Sequence, residues 1–235
     1  MYIEHLACID IPDAWFQAIN SLITHGFKYE IQQGSFVGNT RIELDFITIY
    51  IKKPYSEPYD SMTPKIPSFL NIPDPVAPGY LEQYIPYLMT AEKQEDEDYT
   101  YGERLCGVYS EIPSPNGYSI IKIDQIQHFI DLLKKTPNTN QAVLQVAQPS
   151  DCLLEDPPCL REIGMRIKDN QLIFYPSFRS NDAWSGFPCN LPAIAILQRY
   201  MSDEIGVESG PMIYSSKGLH LYQYVEELAR LRCNK

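Results

Sequence analysis

The chain predicts an α+β domain. Strand-like and helix-like segments mix along it without a regular βα alternation, which argues against a doubly wound sheet. No internal repeat is visible, and 235 residues are enough for one domain with a substantial core. Hydrophobic residues make up 44% and charged residues 21%, the balance of an ordinary folded chain.

Taken in order, "IPDAWFQAINSLITHGF" places Trp15, Ile19 and Leu22 at helical spacing and ends at Gly26, a C-terminal cap. "RIELDFITIYIKKP" is rich in β-branched and aromatic residues and reads as one long strand stopped by Pro54. Seven prolines between positions 54 and 79 exclude regular interior structure and predict an extended surface loop. "YLEQYIPYLMT" predicts a short kinked helix, and "EKQEDED" a solvated acidic connection. "IDQIQHFIDLLKKTPN" predicts a helix capped by Asp124, with Ile126, Phe129, Ile130 and Leu133 on its inner face. "QAVLQVAQ" reads as a buried strand, and "IGMRIKDNQLIFYPSF" as a hairpin turning at Asp169 and Asn170. "NLPAIAILQRYMSDEIG" is an apolar helix closed by Gly206, and "GPMIYSS" a short strand. "LYQYVEELARLR" is a last helix with Leu221, Val225, Leu228 and Leu231 inward.

Composition also excludes function classes. A net charge of −11 argues against nucleic-acid and anionic-membrane binding. No apolar run is long enough to span a membrane, and "MYIEHLACIDIPD" lacks an export signal, so a cytoplasmic protein is expected. The six cysteines show neither CxxC pairs nor metal-type spacing with histidine, so reduced thiols and no metal are expected.

One cysteine stands apart. Cys159 follows Pro157 and Pro158, whose fixed φ angles would deliver its thiol at a set place and angle, which suits a nucleophile. Downstream, "SFRSNDAWSGFPCN" is a dense polar run between two apolar elements. Arg179 and Ser180 stand together as a phosphate-binding pair would, and positive charge near the thiol would lower its pKa. Asp182 and Asn190 flank a glycine turn at Gly186, and Asn190, one residue before the apolar run, reads most simply as a helix N-cap. In "KGLHLYQY", His220 and Tyr222 share one face if the segment is extended.

Together "PPC", "RSND" with its following glycine and "PCN", and "HLY" resemble the signature blocks of the thymidylate synthase family, in the same order. Arg179 and Asn190 lie 20 and 31 residues beyond Cys159, and His220 lies 30 beyond Asn190, separations similar to the family's. "YTYGERL" resembles its tyrosine-glycine block. The likeness covers residues 99–235 as catalytic core motifs, with residues 1–98 a divergent N-terminal part of one domain, and is nearest to the short archaeal-type members. It implies a thymidylate synthase/dCMP hydroxymethylase-type fold, a mixed sheet packed against helices, in a homodimer joined through a sheet.

The resemblance also implies roles. Cys159 would add to carbon 6 of the uracil of dUMP. Arg179 and Ser180 would hold the phosphate, and His220 and Tyr222 the 3′-hydroxyl. Asn190 would read the uracil edge, and Tyr101 would order the water that removes the carbon-5 proton. Asp182 and Gly186 would face a reduced pterin, either 5,10-methylenetetrahydrofolate or a tetrahydromethanopterin-type donor. Several positions depart from the family. Asn140 and Gln141 replace its paired cross-dimer arginines, with Arg41 the candidate substitute. Leu160, Phe178 and Cys189 replace its usual histidine, glutamine and aromatic, and the tryptophan-rich cofactor segment has no match. Glu43 is the candidate for its N-terminal glutamate. A pyrimidine nucleotide hydroxymethylase, a non-catalytic nucleotide-binding dimer and, less well supported, a cysteine hydrolase remain alternatives.

Overall fold

In the computed structural model, which describes residues 1–34 and 36–235, the chain opens with strand β1 (Ile3–Cys8) and helix α1 (Ile11–His25). Asp10 caps α1 by accepting from the Asp13 N–H, and Trp15, Ile19 and Leu22 are fully buried along its inner face. Gly26 closes the helix, with its N–H on the Leu22 carbonyl. Its backbone is extended rather than left-handed, so the need for glycine is one of space. A Cβ there would lie 2.4 Å from Ile42 and 2.5 Å from the Leu22 oxygen.

Strand β2 (Phe27–Glu30) follows, and then the predicted long strand proves to be two, β3 (Thr40–Leu44) and β4 (Phe46–Ile51). Buried side chains fall at Ile42 and Leu44, then at Ile47, Ile49 and Ile51, so the alternation slips by one residue at Asp45. A strand whose inner face changes there must leave one sheet for another. The Asp45 carboxylate holds the corner by accepting from the Tyr2 N–H at 2.6 Å.

The proline-rich segment is irregular apart from two short 3-10 turns, but it buries Met62 and Val76. Helix α2 (Tyr80–Met89) carries Pro86, and α3 (Tyr101–Cys106) is capped by Thr100. A hairpin of β5 (Val108–Ser114) and β6 (Gly117–Ile123) follows, unforeseen in the sequence reading although "PNG" supplies its turn. Helix α4 (Gln125–Lys135) is capped by Asp124, with Ile126, Ile130 and Leu133 buried and Phe129 half-buried.

Strand β7 (Val143–Gln145) is shorter than expected. β8 (Leu160–Lys168) and β9 (Gln171–Phe178) form the expected hairpin, with Asp169 and Asn170 at φ 51° and 59°, the left-handed pair of a two-residue turn. The two-residue β10 (Asn181–Asp182) leads to α5 (Gly186–Ile205), closed by Gly206 at φ 89°. Helix α5 begins four residues earlier than expected, which places Asn190 inside it and overturns its reading as an N-cap. β11 (Glu208–Ser216), β12 (Leu219–Tyr222) and α6 (Gln223–Cys233) complete the chain. Val225 and Ala229 form the buried face of α6, whereas Leu231, expected inward, is 49% exposed.

The strands assemble into a six-stranded mixed sheet, β1-β4-β11-β9-β8-β7, and a four-stranded sheet, β10-β12-β3-β2. Helices α1, α4 and α5 pack on one face of the larger sheet, around Trp15, Phe174, Phe178 and Tyr214. This is the mixed sheet against helices that the resemblance implied.

Candidate active site

The smaller sheet has two unlike faces. Ile42, Leu44, Leu219 and Leu221 point into the core. Alternation therefore turns their neighbours the other way. Asp182 pairs with His220, His220 with Glu43, and Tyr222 with Arg41. Strand register thus lines up Asp182, His220, Tyr222, Glu43 and Arg41 on one face. His220 and Tyr222 stand together as expected, their rings 4.8 Å apart and edge to face.

Cys159 arrives beside this face from the larger sheet. Its carbonyl accepts from the Arg179 N–H at 2.8 Å, so the entry to β8 and the exit of β9 are clamped together. One cleft is lined by Cys159, Arg179, Ser180, His220, Tyr222 and Arg41, with Asp156 at its rim. Five of these were expected at the site from the sequence, and Arg41 was the candidate sixth.

Arg179 explains the two prolines. Its Nε donates to the carbonyls of Pro157 and Pro158 at 3.2 and 3.3 Å, and its Nη2 to Pro157 at 2.5 Å and to the Asp156 carboxylate at 2.9 Å. The guanidinium thus buttresses the segment that delivers the thiol. Burial pushes the Cys159 thiol pKa up, and the expected downward pull of Arg179 is present but smaller. Asp156 pushes the same way as burial, while Arg161 and Arg41 add to the downward pull.

Arg41 donates from Nε to the Tyr29 hydroxyl at 2.5 Å and pairs through Nη2 with Glu43 at 2.9 Å. Burial raises the Glu43 carboxyl, against the pull of Tyr29 and Arg41. Ser180 lies within 3.1 Å of both the Gly218 carbonyl and Nδ1 of His220, whose own contact with that carbonyl is 3.0 Å. Burial drives the His220 pKa down to about 4, so the ring is neutral, and among the described residues its buried Nε2 has no partner. That orphan fits a hydroxyl-bearing ligand.

A second cleft holds two more of the predicted residues. Tyr101 and Asn190 line it together with Tyr84, Tyr87 and Tyr99. The Tyr101 hydroxyl accepts from the Leu160 N–H at 3.2 Å, one residue past Cys159. Burial raises its pKa well above the usual value, so it remains a neutral phenol. Helix α3, which carries Tyr101, is tied to the loop before Cys159 by a buried Arg104–Asp151 ion pair of 2.8 Å.

Asn190 sits in the early part of α5. Its Oδ1 accepts from the Tyr84 hydroxyl at 2.9 Å, and its Nδ2 donates to Asn181 Oδ1 at 3.5 Å. Asp182 accepts from the Trp184 N–H at 2.9 Å and from the N–H groups of Ser185 and Gly186, holding the turn that starts the helix. Burial outweighs these donors and raises its pKa. Gly186 is the first helical residue rather than a turn glycine. A Cβ there would lie 2.9 Å from Asn181 Oδ1, so its smallness makes room for the amides. Asn140 and Gln141 are exposed ahead of β7 and are not among the residues lining either cleft.

Sequence reasoning missed Tyr84, Tyr99, Asn181 and Asp156. Tyr80, Tyr84 and Tyr87 at i, i+4 and i+7 on α2 were a readable signal of an aromatic helix face.

Known proteins resemble this chain along most of its length. Residues 68–235 match the family model described as thymidylate synthase. A Methanosarcina barkeri protein named "Putative thymidylate synthase" is 27% identical over 91% of this chain and 87% of its own length. A protein of the same name from Methanococcoides burtonii is 28% identical over the same shares. A Listeria monocytogenes thymidylate synthase is 30% identical, over 46% of this chain and 36% of its own.

Proposed function

The chain belongs to the thymidylate synthase family, and we propose that it converts dUMP to dTMP by reductive methylation with a methylene-tetrahydropterin. The observation that carries this reading is the convergence of Cys159, Arg179, Ser180, His220 and Tyr222 on one cleft.

In this reading the 5′-phosphate takes the place of Asp156 on Arg179, with Arg41 as the second cation and Ser180 beside them. The buried Nε2 of His220 and the Tyr222 hydroxyl take the 3′-hydroxyl. Asn190 reads the uracil edge, since an amide both donates and accepts. The Cys159 thiolate adds to carbon 6 and electrons pass to the carbon-4 oxygen, an enolate that the Asn190 N–H stabilises. Tyr101, neutral, orients the water that takes the carbon-5 proton. The same thiolate leaves when the product forms. A bound pterin supplies the carbon that carbon 5 captures and the hydride that reduces it to methyl.

The tyrosine rings of the second cleft fit a flat heteroaromatic group, with Asp182 and Gly186 at its boundary with the nucleotide. They suit methylenetetrahydrofolate and a tetrahydromethanopterin-type donor alike. The uncovered face of the six-stranded sheet supports a homodimer. Ile3, Tyr50, Ile173, Tyr175 and Ile213 emerge there, and Ile3 is 62% exposed. Six free thiols favour a cytoplasmic setting, and among the described residues no helix is long and apolar enough to cross a membrane.

The test is incubation with dUMP and each methylene pterin, followed by mass analysis of the nucleotide. dTMP supports the reading. A 5-hydroxymethyl product makes the protein a hydroxymethylase, and bound but unchanged dUMP with both donors makes it a non-catalytic binder.

A further inference from the structure

Asn190 is held from both ends, by Tyr84 at its oxygen and by Asn181 at its nitrogen. A primary amide has two acceptor sites on oxygen and two hydrogens on nitrogen. The protein uses one of each. What remains is one acceptor beside one donor, the complement of the uracil N3–H and O4. The cytosine edge is reversed, with an acceptor at N3 and an amino donor at carbon 4. A half-turn of the same amide would suit it. The direction of the Asn190 amide therefore selects the base.

We propose that Asn181 and Tyr84 are positioning residues that lock this direction, so that the site takes a uracil nucleotide and rejects a cytosine one. The inference deepens the dUMP reading and rests on it. A half-turn of Asn190 would set its Oδ1 against Asn181 Oδ1, two acceptors with no proton between them. Asn181 could turn with it only if the Tyr214 hydroxyl, which accepts from its Nδ2 at 3.3 Å, rotated to donate instead. Asn181 is 2% exposed and Tyr214 is fully buried against Phe178 and Phe187, so reversal would require the whole chain of hydrogen bonds to switch without water. Gly186 supplies the space in which the two amides meet, since a Cβ there would crowd Asn181 Oδ1 and come within 3.8 Å of Asn190 Nδ2. Tyr84 acts less directionally, because a hydroxyl can donate or accept, but it fixes the oxygen end in place.

The test measures binding and kcat/KM for dUMP and dCMP in the full-length parent, Asn181→Ala and Tyr84→Phe. The parent prefers dUMP. Asn181→Ala should lower that preference about tenfold, gaining dCMP affinity as it loses dUMP, which a merely structural defect would not do. Tyr84→Phe should move the ratio the same way by about threefold. If Asn181→Ala does not fold, Tyr84→Phe decides alone. Folded variants that keep the parent's ratio, or lose both nucleotides equally, overturn the inference. A parent that binds dCMP as well as dUMP overturns it too, while one that binds neither defeats the dUMP reading and the inference with it.

Discussion

The two clefts are built differently. The cleft around Cys159 is made of strand ends, and its side chains are placed by backbone ladders: Cys159 by its bond to Arg179, and His220 and Tyr222 by register with Glu43 and Arg41. The tyrosine-lined cleft is made by α2, α3 and α5, and its amide is held side chain to side chain, Tyr84 to Asn190. A ladder holds a group in place whatever its neighbours do, whereas a side-chain network holds it only while each member remains. Substitutions in the first cleft should therefore strike the chemistry and leave the geometry standing. Substitutions in the second should change which ligand is accepted.

The largest expected effect breaks the first cleft at its centre. Cys159→Ser should lower turnover by more than about a thousandfold, because a serine hydroxyl is scarcely ionised and weakly nucleophilic at neutral pH. The fold should survive, since the clamp to Arg179 uses the Cys159 carbonyl. Single replacement of Cys106 or Cys152, which line neither cleft, should leave turnover close to the parent's. Steady-state rates with thermal melts of each variant check this, and a Cys159→Ser enzyme with near-parent turnover would refute the nucleophile.

Next comes Arg179→Ala, with a loss of roughly a hundredfold in kcat/KM for dUMP. One guanidinium pulls the thiol pKa down and holds the carbonyls of Pro157 and Pro158, and in the proposed reading it also faces the phosphate. The phosphate-free nucleoside separates these duties. If the variant discriminates nucleotide from nucleoside as well as the parent does, Arg179 is a buttress and not a phosphate ligand.

What could be read beforehand follows the same divide. The Asp124 cap, the Asp169 and Asn170 turn and the Gly206 terminus are local chemistry, complete within a few residues. The order and spacing of Cys159, Arg179, Ser180, His220 and Tyr222 were also legible, because each lies in a short motif. The break at Asp45 was not, since it needs the Tyr2 N–H, a partner 43 residues away. The Tyr84 contact with Asn190 spans 106 residues and no local pattern announces it. Asn190 looked like a cap because the apolar run begins after it, but the Asp182 carboxylate starts the helix earlier by taking its first N–H groups.

His220 offers a smaller effect, on stability. Burial, aided by Arg41 and Arg179, holds its folded pKa at about 4 against an ordinary value of 6.5. The unfolded ring therefore binds the proton more tightly. Stability from the neutral ring is complete above pH 6.5 and is lost as the pH falls towards 4, by up to about 3 kcal/mol. His220→Asn keeps a donor near Nδ1 and removes the titration. Denaturant midpoints at pH 7 and pH 4.5 should converge between variant and parent as the pH falls. A constant gap would mean that the ring does not titrate in this window.

The smallest effect sharpens the comparison, because Arg41 belongs to the first cleft by register but is held by side chains as in the second. A nucleotide phosphate carries close to two charges at neutral pH and needs more than one donor when partly buried. Asn140 and Gln141 are neutral where the family usually has cations, and among the described residues Arg41 is the other cation lining the cleft. Its Nε is occupied by Tyr29 and its Nη2 by Glu43, so it can offer the phosphate charge more readily than a free fork of donors. Arg41→Ala should therefore raise the Michaelis constant for dUMP by only about three- to tenfold with kcat little changed, the pattern of lost ground-state binding. The nucleoside should feel no such loss. A penalty as large as that of Arg179→Ala, confined to the nucleotide, would show that Arg41 carries the phosphate and that the strand face, not the arginine that follows β9, is where recognition begins.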